Sequence, residues 1–191
     1  MPEVRQETPE DAEAIAGVHV RAWQAGYAGL IPADVLDRLN VAAWAQRRRD
    51  VGTADPEQPF RTLVATEGEQ IVGFSTYGPY RIDQDRDQLD PAYGEIVSMY
   101  VDPTHWGSGV GRLLLAASIA GLTGQGWRTM RLWVLDGNQR ARRFYQAAGL
   151  RPDGERSVYQ VPRSPGQTPV GLDEVRYLAR IAGDRILTLA G

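Results

Sequence analysis

A glycine-rich segment that follows an apolar stretch constrains the fold of this chain more than any other feature. The segment reads Trp106-Gly107-Ser108-Gly109-Val110-Gly111-Arg112. The residues before it, from Glu95 to Val101, are nearly all apolar, which is typical of a strand buried on both faces. After it, apolar or small residues recur on one side of a helix, at positions 110, 113, 114, 117 and 121. The sequence therefore predicts a strand, a tight glycine turn and a helix in direct succession.

The same turn predicts a binding site for phosphate groups. A helix N-terminus leaves backbone N–H groups unpaired and carries partial positive charge, and glycines allow a ligand to approach the backbone closely. Together these features favour a pyrophosphate cradle that needs no lysine. From the glycines alone, a strand-to-helix turn without a ligand is an equal alternative. A P-loop is excluded because Gly-Lys-Ser/Thr is absent, and a dinucleotide fingerprint is excluded because Arg112 or Leu114 stands where its third glycine belongs.

The remaining elements follow from periodicity and from turn residues. Strands are predicted at 4–7, 61–67, 71–78, 131–135, 155–161 and 173–181, and helices from Thr8, over 41–50, from Gly109 to 124–126, and from Asn138 to Gly149. Residues 79–92 are predicted to form a polar loop, and 162–171 a second loop. This order of strands and helices predicts one mixed α/β domain over residues 1–191.

Composition excludes several classes of function. The net charge of −3 gives no basic footprint for nucleic acid. The chain has no cysteine, which removes disulfides, thiolate zinc sites and a cysteine nucleophile, and with only His19 and His105 a histidine-rich metal site is not expected. The first residues lack a signal peptide, and no apolar run approaches the roughly 18 residues of a membrane span. We therefore expect a cytoplasmic protein without a metal or a membrane partner.

A second motif makes the interpretation specific. It consists of Asn138, Ala141, Phe144, Tyr145, Gly149 and Leu150, spaced as Asn-x-x-Ala-x-x-Phe-Tyr-x-x-x-Gly-Leu. With the glycine turn, the segment from Glu95 to Leu150 resembles the acetyl-CoA-binding half of the GNAT superfamily of N-acetyltransferases. The family's turn is Gln/Arg-x-x-Gly-x-Gly/Ala, and here Trp106 replaces its first residue. The N-terminal segment at 8–15 and Glu174 to Tyr177 are also similar to family members.

The resemblance implies a fold and a co-substrate. The implied GNAT fold has a mixed, mostly antiparallel sheet of six to seven strands, flanked by helices, whose central strands splay apart. The pantetheine arm of acetyl-CoA then lies between those strands. The implied binding residues are Met99, Tyr100, Val101, Trp106, Gly107, Ser108, Gly109, Val110, Gly111, Arg112 and Asn138. For Asn138, a helix N-cap is an equally good interpretation.

The resemblance also implies catalytic and acceptor-binding roles. Tyr145 is the candidate general acid for the leaving CoA thiolate, although periodicity alone favours a core aromatic. Glu95 is the candidate base that deprotonates the amine, through a water, with an exposed acid at a strand end as the alternative. Trp23 and Tyr27, one helical turn apart, are candidates for the acceptor site, with packing as the alternative.

The sequence thus predicts an N-acetyltransferase that moves an acetyl group to a primary amine by direct attack in a ternary complex. The acceptor is expected to be a small molecule or a peptide, and a homodimer is possible. The alternative is a GNAT-like module that senses acyl-CoA without turnover. Asp83, Asp85, Asp87 and Asp90 further suggest a loop that steers a cationic acceptor, or else merely a solvated loop.

Overall fold

The computed structural model describes residues 1–54, 58–163 and 165–187, and for 52–54 it describes the backbone alone. Its strands are β1 (Glu3–Gln6), β2 (Arg61–Glu67), β3 (Gln70–Arg81), β4 (Leu89–Val101), β5 (Thr129–Leu135), β6 (Arg151–Val161), β7 (Val170–Ala182) and β8 (Arg185–Leu187). Its α-helices are α1 (Ala12–Gly26), α2 (Ala33–Leu36), α3 (Val41–Ala54), α4 (Val110–Gly124) and α5 (Gln139–Ala148). The fold is therefore mixed α/β, as predicted.

The strands form one sheet in the order β1-β2-β3-β4-β5-β7-β6, with β8 paired to β7. The β4–β5 pair is parallel, and every other pair in the described chain is antiparallel. The predicted mostly antiparallel sheet is confirmed. It has eight strands rather than six or seven, because the short β8 follows a turn at Gly183, which the sequence interpretation did not include.

The two central strands separate soon after they meet. β4 and β5 pair at Gly94 with Met130 and at Glu95 with Arg131, and their later residues have no partners across the gap. A Cβ atom at Gly94 would lie 2.7 Å from Leu122, so α4 presses closely on the sheet at the point of contact. The predicted splay of the central strands is thereby confirmed, and it opens a cleft toward the glycine turn.

The prediction of a polar loop over 79–92 is wrong for half of its length. β3 continues to Arg81 and β4 begins at Leu89, so the turn between them is short. The charged residues of this segment suggested a loop, but Tyr80 and Tyr93 both lie against the guanidinium of Arg131 from β5. These contacts hold the extended hairpin against the sheet, and Tyr80 is buried.

The helices cover the sheet from two places. The largest core cluster joins Leu115, Ile119 and Leu122 of α4 to Met130, Leu132 and Val134 of β5. A second cluster packs Ile15 and Val18 of α1 on Phe74 of β3. Among the described helices, none has the length and hydropathy needed to cross a membrane.

Candidate functional site

The glycine turn opens α4 with a left-handed residue. Gly107 and Gly109 have φ angles of 83° and 95°, a region that favours glycine. Within the described chain, the N–H groups of Gly109, Val110 and Gly111 have no hydrogen-bond partner. A Cβ at Gly107 or Gly109 would meet nothing within 4 Å, so the turn faces open space. Unpaired donors beside open space at a helix N-terminus form a cradle that suits a pyrophosphate.

A cleft of about 510 Å³ runs from this cradle between the end of β4 and α5. All the predicted co-substrate residues except Val110 line it, namely Met99, Tyr100, Val101, Trp106, Gly107, Ser108, Gly109, Gly111, Arg112 and Asn138. The Val110 side chain is buried in the core beside Leu114, so only its backbone is available to a ligand. The residues present therefore fit the phosphates and pantetheine arm of acetyl-CoA.

Trp106 has a structural role in this cleft. Its indole N–H donates to the carbonyl oxygen of Val101 at 2.9 Å, which holds the turn against the end of β4. The guanidinium of Arg140 lies over the indole ring, 3.5 Å from its centroid, and Arg140 lines the cleft. Arg140 was not predicted as a site residue, because only the fold brings the first turn of α5 beside the glycine turn. Arg140 supplies a cation beside the position where family members carry Gln or Arg.

Asn138 combines the two roles that the sequence left open. Its side-chain oxygen accepts a hydrogen bond from the N–H of Ala141 at 3.1 Å, so it caps α5. It also lines the cleft, and its amide nitrogen has no partner among the described residues. The cap fixes the side chain and leaves both N–H donors of its amide for a ligand.

A second cavity, of about 270 Å³, adjoins the cleft. The two share Tyr27, Tyr100, Asn138, Ala141 and Tyr145, so they meet at these residues. Aromatic side chains from both sides of the sheet's gap line the second cavity, namely His19, Trp23, Tyr27, Trp44, Tyr100, Trp133, Tyr145 and Tyr159. We call this space the aromatic cavity.

Tyr145 lies where the cleft and the aromatic cavity join. Its ring packs on Phe144 and Tyr177, with centroids 5.2 and 6.5 Å away, and the residue is 8% exposed. Its hydroxyl makes no hydrogen bond to another described residue. Burial raises the pKa of this phenol well above its usual value, so the O–H stays protonated at neutral pH. Tyr145 is thus packed in the core and also presents a proton donor at the junction.

Trp23 and Tyr27 both line the aromatic cavity and also pack on each other, with ring centroids 5.2 Å apart. The Tyr27 hydroxyl lies 3.4 Å from that of Tyr100. The pKa of Tyr27 is raised, mainly by burial, so this pair remains neutral. The packing role and the cavity-lining role therefore coexist.

Glu95 does not stand at the end of a strand. β4 begins at Leu89, so Glu95 lies inside it, 1% exposed, and both the strand-opening position and the exposed alternative are wrong. Its carboxylate accepts hydrogen bonds from the Arg81 backbone N–H at 2.9 Å and from the Arg81 guanidinium at 3.0 and 2.8 Å. Glu95 lines neither the cleft nor the aromatic cavity.

Glu174 is the carboxylate that does line the aromatic cavity. It lies on β7 opposite Leu135, the last residue of β5, and is 7% exposed. Its oxygen accepts a hydrogen bond from the Gln84 amide at 2.5 Å, and burial raises the pKa of the carboxyl. Gln84 is also the member of the 79–92 segment that, with Arg81, reaches this cavity, whereas Asp83, Asp85, Asp87 and Asp90 do not line it. Glu174 was noted from the sequence only as the start of a segment similar to family members, with no role assigned, because the register of β7 against β5 is what places it here.

His19 should make the stability of the protein depend on pH. Burial and the nearby Arg48 lower the pKa of His19 from 6.5 to about 4. Between those values the unfolded chain binds a proton that the folded chain does not, so stability falls as pH drops from 6.5 to 4. The side chain is partly exposed, so we expect a loss of about 1–3 kcal/mol. Urea unfolding at pH 7 and pH 4.5 would measure it, and His19→Gln should remove that part of the dependence. An identical dependence in the variant would contradict the assignment.

Comparison with known proteins identifies the family. A model of the acetyltransferase (GNAT) family matches residues 23–150. The chain belongs to the GNAT acetyltransferase family. The uncharacterized N-acetyltransferase YuaI of Bacillus subtilis is 30% identical over 75% of this chain and 77% of its own length. A phosphinothricin N-acetyltransferase of Streptomyces coelicolor is 31% identical over 57% of this chain and 63% of its own.

Solved structures of GNAT proteins share the fold. The PaiA N-acetyltransferase of Thermoplasma acidophilum, in complex with coenzyme A, superposes with a TM-score of 0.66 at 16% identity, over 91% of this chain and 98% of its own. The ribosomal-protein-alanine N-acetyltransferase of Brucella melitensis gives a TM-score of 0.63 at 23% identity, over 94% of this chain and 99% of its own. At these identities the likeness shows that this GNAT protein has the architecture of its relatives.

Proposed function

We propose that this GNAT protein transfers the acetyl group of acetyl-CoA to a primary amine by direct attack in a ternary complex. The observation that carries the proposal is the junction of two cavities at Tyr145, one with a phosphate cradle and one walled by aromatic side chains. A fold relative that was solved with coenzyme A supports the choice of co-substrate. The chain has no cysteine, so a direct transfer is preferred to a thioester on the protein.

Different residues of the cleft suit different parts of the co-substrate. The N–H groups of Gly109, Val110 and Gly111 suit the pyrophosphate. The edge of β4 at Met99, Tyr100 and Val101 is unpaired on the side of β5, and it suits the amides of pantetheine, as an added strand would. Asn138 has an amide donor for the same arm. When bound, acetyl-CoA supplies a thioester whose carbonyl carbon the amine attacks.

The reaction requires the protein to donate one proton and to accept another. Tyr145, neutral and at the junction, is the proposed acid that protonates the departing thiolate. An alkyl ammonium must also lose a proton before it can attack. Glu95, named from the sequence, and Glu174, which lines the aromatic cavity, are the two buried carboxylates proposed as candidates for this base.

A direct test is steady-state release of CoA by the purified protein with a panel of primary amines. Acetylated product from at least one amine, confirmed by mass spectrometry, would support the transferase. Tight binding of acetyl-CoA without turnover of any amine would favour the sensor module instead. Failure to bind CoA in competition with simple nucleotides would reject both.

Arg140→Gln should weaken CoA binding about tenfold, because it removes a cation beside the phosphate cradle. The loss should shrink at high salt, since the contact is electrostatic. Calorimetry with CoA would measure the change, and Arg143→Gln, on the same helix but outside the cleft, is the matched control. An equal loss of affinity for pantetheine, which lacks the phosphates, would show that the effect is structural.

A further inference from the structure

The aromatic cavity contains one carboxylate among its described lining residues, that of Glu174. The described lining also includes a cation, Arg81, but its guanidinium is held by Glu95. Glu174 receives a single hydrogen bond, from Gln84 to one oxygen, so its other oxygen has no described partner. The cavity therefore presents one buried negative group that is available to a ligand.

Glu95 is poorly placed to take a proton from an amine. Three donations from Arg81 occupy its carboxylate, and it is almost completely buried. Glu95 also lines neither the cleft nor the aromatic cavity, so an amine bound there does not reach it. The arrangement indicates that Glu95 positions Arg81, which in turn lies along the wall of the cavity.

The surroundings of Glu174 are suited to a single positive charge. Tyr27, Tyr100 and Tyr159 line the aromatic cavity together with Glu174. Burial and the negative charge of Glu174 both raise the pKa of these three phenols, so they stay neutral beside the carboxylate. Trp23 and Trp44 complete the same wall. Aromatic faces attract an ammonium group, as the carboxylate does, and they also favour contact with an apolar body. The cavity therefore suits a ligand with one ammonium group on an apolar body.

A positive rim lies outside this wall. A groove shares Trp23, Trp44 and Tyr159 with the aromatic cavity and carries three arginines, Arg38, Arg47 and Arg163. Asp34 pairs with both Arg38 and Arg163, and the guanidinium of Arg47 lies 5.1 Å from the centroid of the Trp44 ring. Arg47 pairs with no carboxylate among the described residues, so a ligand with a second positive charge would place that charge near an uncompensated guanidinium, which costs energy.

We propose that Glu174 binds the ammonium group of the acceptor and removes its proton, and that the aromatic cavity selects monoamines with an apolar or aromatic body over polyamines. This inference rests on the proposed acetyl transfer. A proton passes from the ammonium nitrogen to Glu174, directly or through a water, which leaves a neutral amine and a neutral carboxyl. The nitrogen lone pair then forms the N–C bond to the acetyl carbonyl, the C–S bond breaks, and the thiolate takes the proton of Tyr145. The amide nitrogen loses its second proton to solvent. Glu174 then releases its proton to solvent and Tyr145 takes one up, so both residues return to their starting states.

The test uses 2-phenylethylamine and spermidine as probes with the intact protein. Wild type should acetylate 2-phenylethylamine with a kcat/KM at least about tenfold higher than spermidine. Glu174→Gln should lower kcat/KM for 2-phenylethylamine about 10- to 100-fold at pH 7. The loss should diminish toward pH 10, because the amine then deprotonates in solution. Asp173→Asn, on the exposed face beside it, is the matched control and should keep the wild-type pH profile.

Several outcomes would overturn the inference. One is a wild-type pH profile in Glu174→Gln together with its loss in Glu95→Gln. Another is a preference of wild type for spermidine. Calorimetric binding of 2-phenylethylamine in the presence of CoA separates the two proposals, because it does not require turnover. Weaker binding by Glu174→Gln with no turnover by wild type would reject the proposed transfer but support the ammonium site. Unchanged binding with normal wild-type turnover would reject the ammonium site alone.

Discussion

Replacement of Tyr145 by Phe is expected to lower kcat on the order of 10²- to 10⁴-fold, with little change in the affinity for acetyl-CoA. The change removes one hydroxyl and keeps the ring that packs on Phe144 and Tyr177. In wild type, burial raises the pKa of the phenol, so the O–H is retained at neutral pH and can donate to the thiolate as that charge forms. Steady-state kinetics and calorimetry together would measure both parts of the expectation.

Tyr177→Phe is the matched control. It removes the same group from a fully buried neighbour that lines neither cavity, and whose hydroxyl accepts hydrogen bonds from Arg142 and Gln146 at 3.3 Å. That variant should lose about 1 kcal/mol of stability and keep its kcat. Wild-type turnover in Tyr145→Phe would mean that the residue is a core aromatic and that the thiolate leaves without this acid.

Gly109→Val is expected to weaken CoA binding at least about 100-fold. Gly109 has a φ of 95°, where a β-branched residue is strained, so the backbone at the start of α4 must rotate. That rotation redirects the N–H groups of the cradle. In addition, the valine side chain would enter the open space beside the turn, which is where we place the pyrophosphate. Titration calorimetry with CoA would measure the loss.

Gly154→Val is the control that distinguishes the effect of backbone strain from the loss of the phosphate-binding site. Gly154 has the same φ of 95° and equally open surroundings, but it lies on β6 outside the cleft. Both variants should lose stability through backbone strain of about 1–3 kcal/mol, and only Gly109→Val should lose affinity. Equal CoA affinity in Gly109→Val and wild type would reject the phosphate cradle.

Local sequence patterns were sufficient to predict the elements whose ends are determined by nearby residues. The glycine turn, α4 and α5 follow from spacing and from capping residues at Gly109, Asn138 and Gly149, and the structure has all three caps. The hairpin of β3 and β4 was predicted too short because the residues that extend it, Tyr80 and Tyr93, are held by Arg131 from a distant strand. No window of sequence contains that contact.

The candidate site shows the same division. Residues next to the turn were predicted individually, whereas Arg140 and Glu174 acquire their positions from the contact of α5 with the turn and from the pairing of β7 with β5. Glu95 is the converse case. Its position suggested a base, but the partner that occupies it, Arg81, lies on the neighbouring strand and was assigned to a loop.

The short contact between β4 and β5 also has a mechanical meaning. Because the described pairing is limited to Gly94 with Met130 and Glu95 with Arg131, the sheet is an N-terminal half and a C-terminal half joined along a brief seam. A molecule that lies in the gap and bonds to β4 while contacting α5 fastens the two halves together. Part of the binding energy then serves as cohesion within the sheet itself. The proposed co-substrate would therefore link the two halves of the sheet where β4 and β5 do not pair with each other.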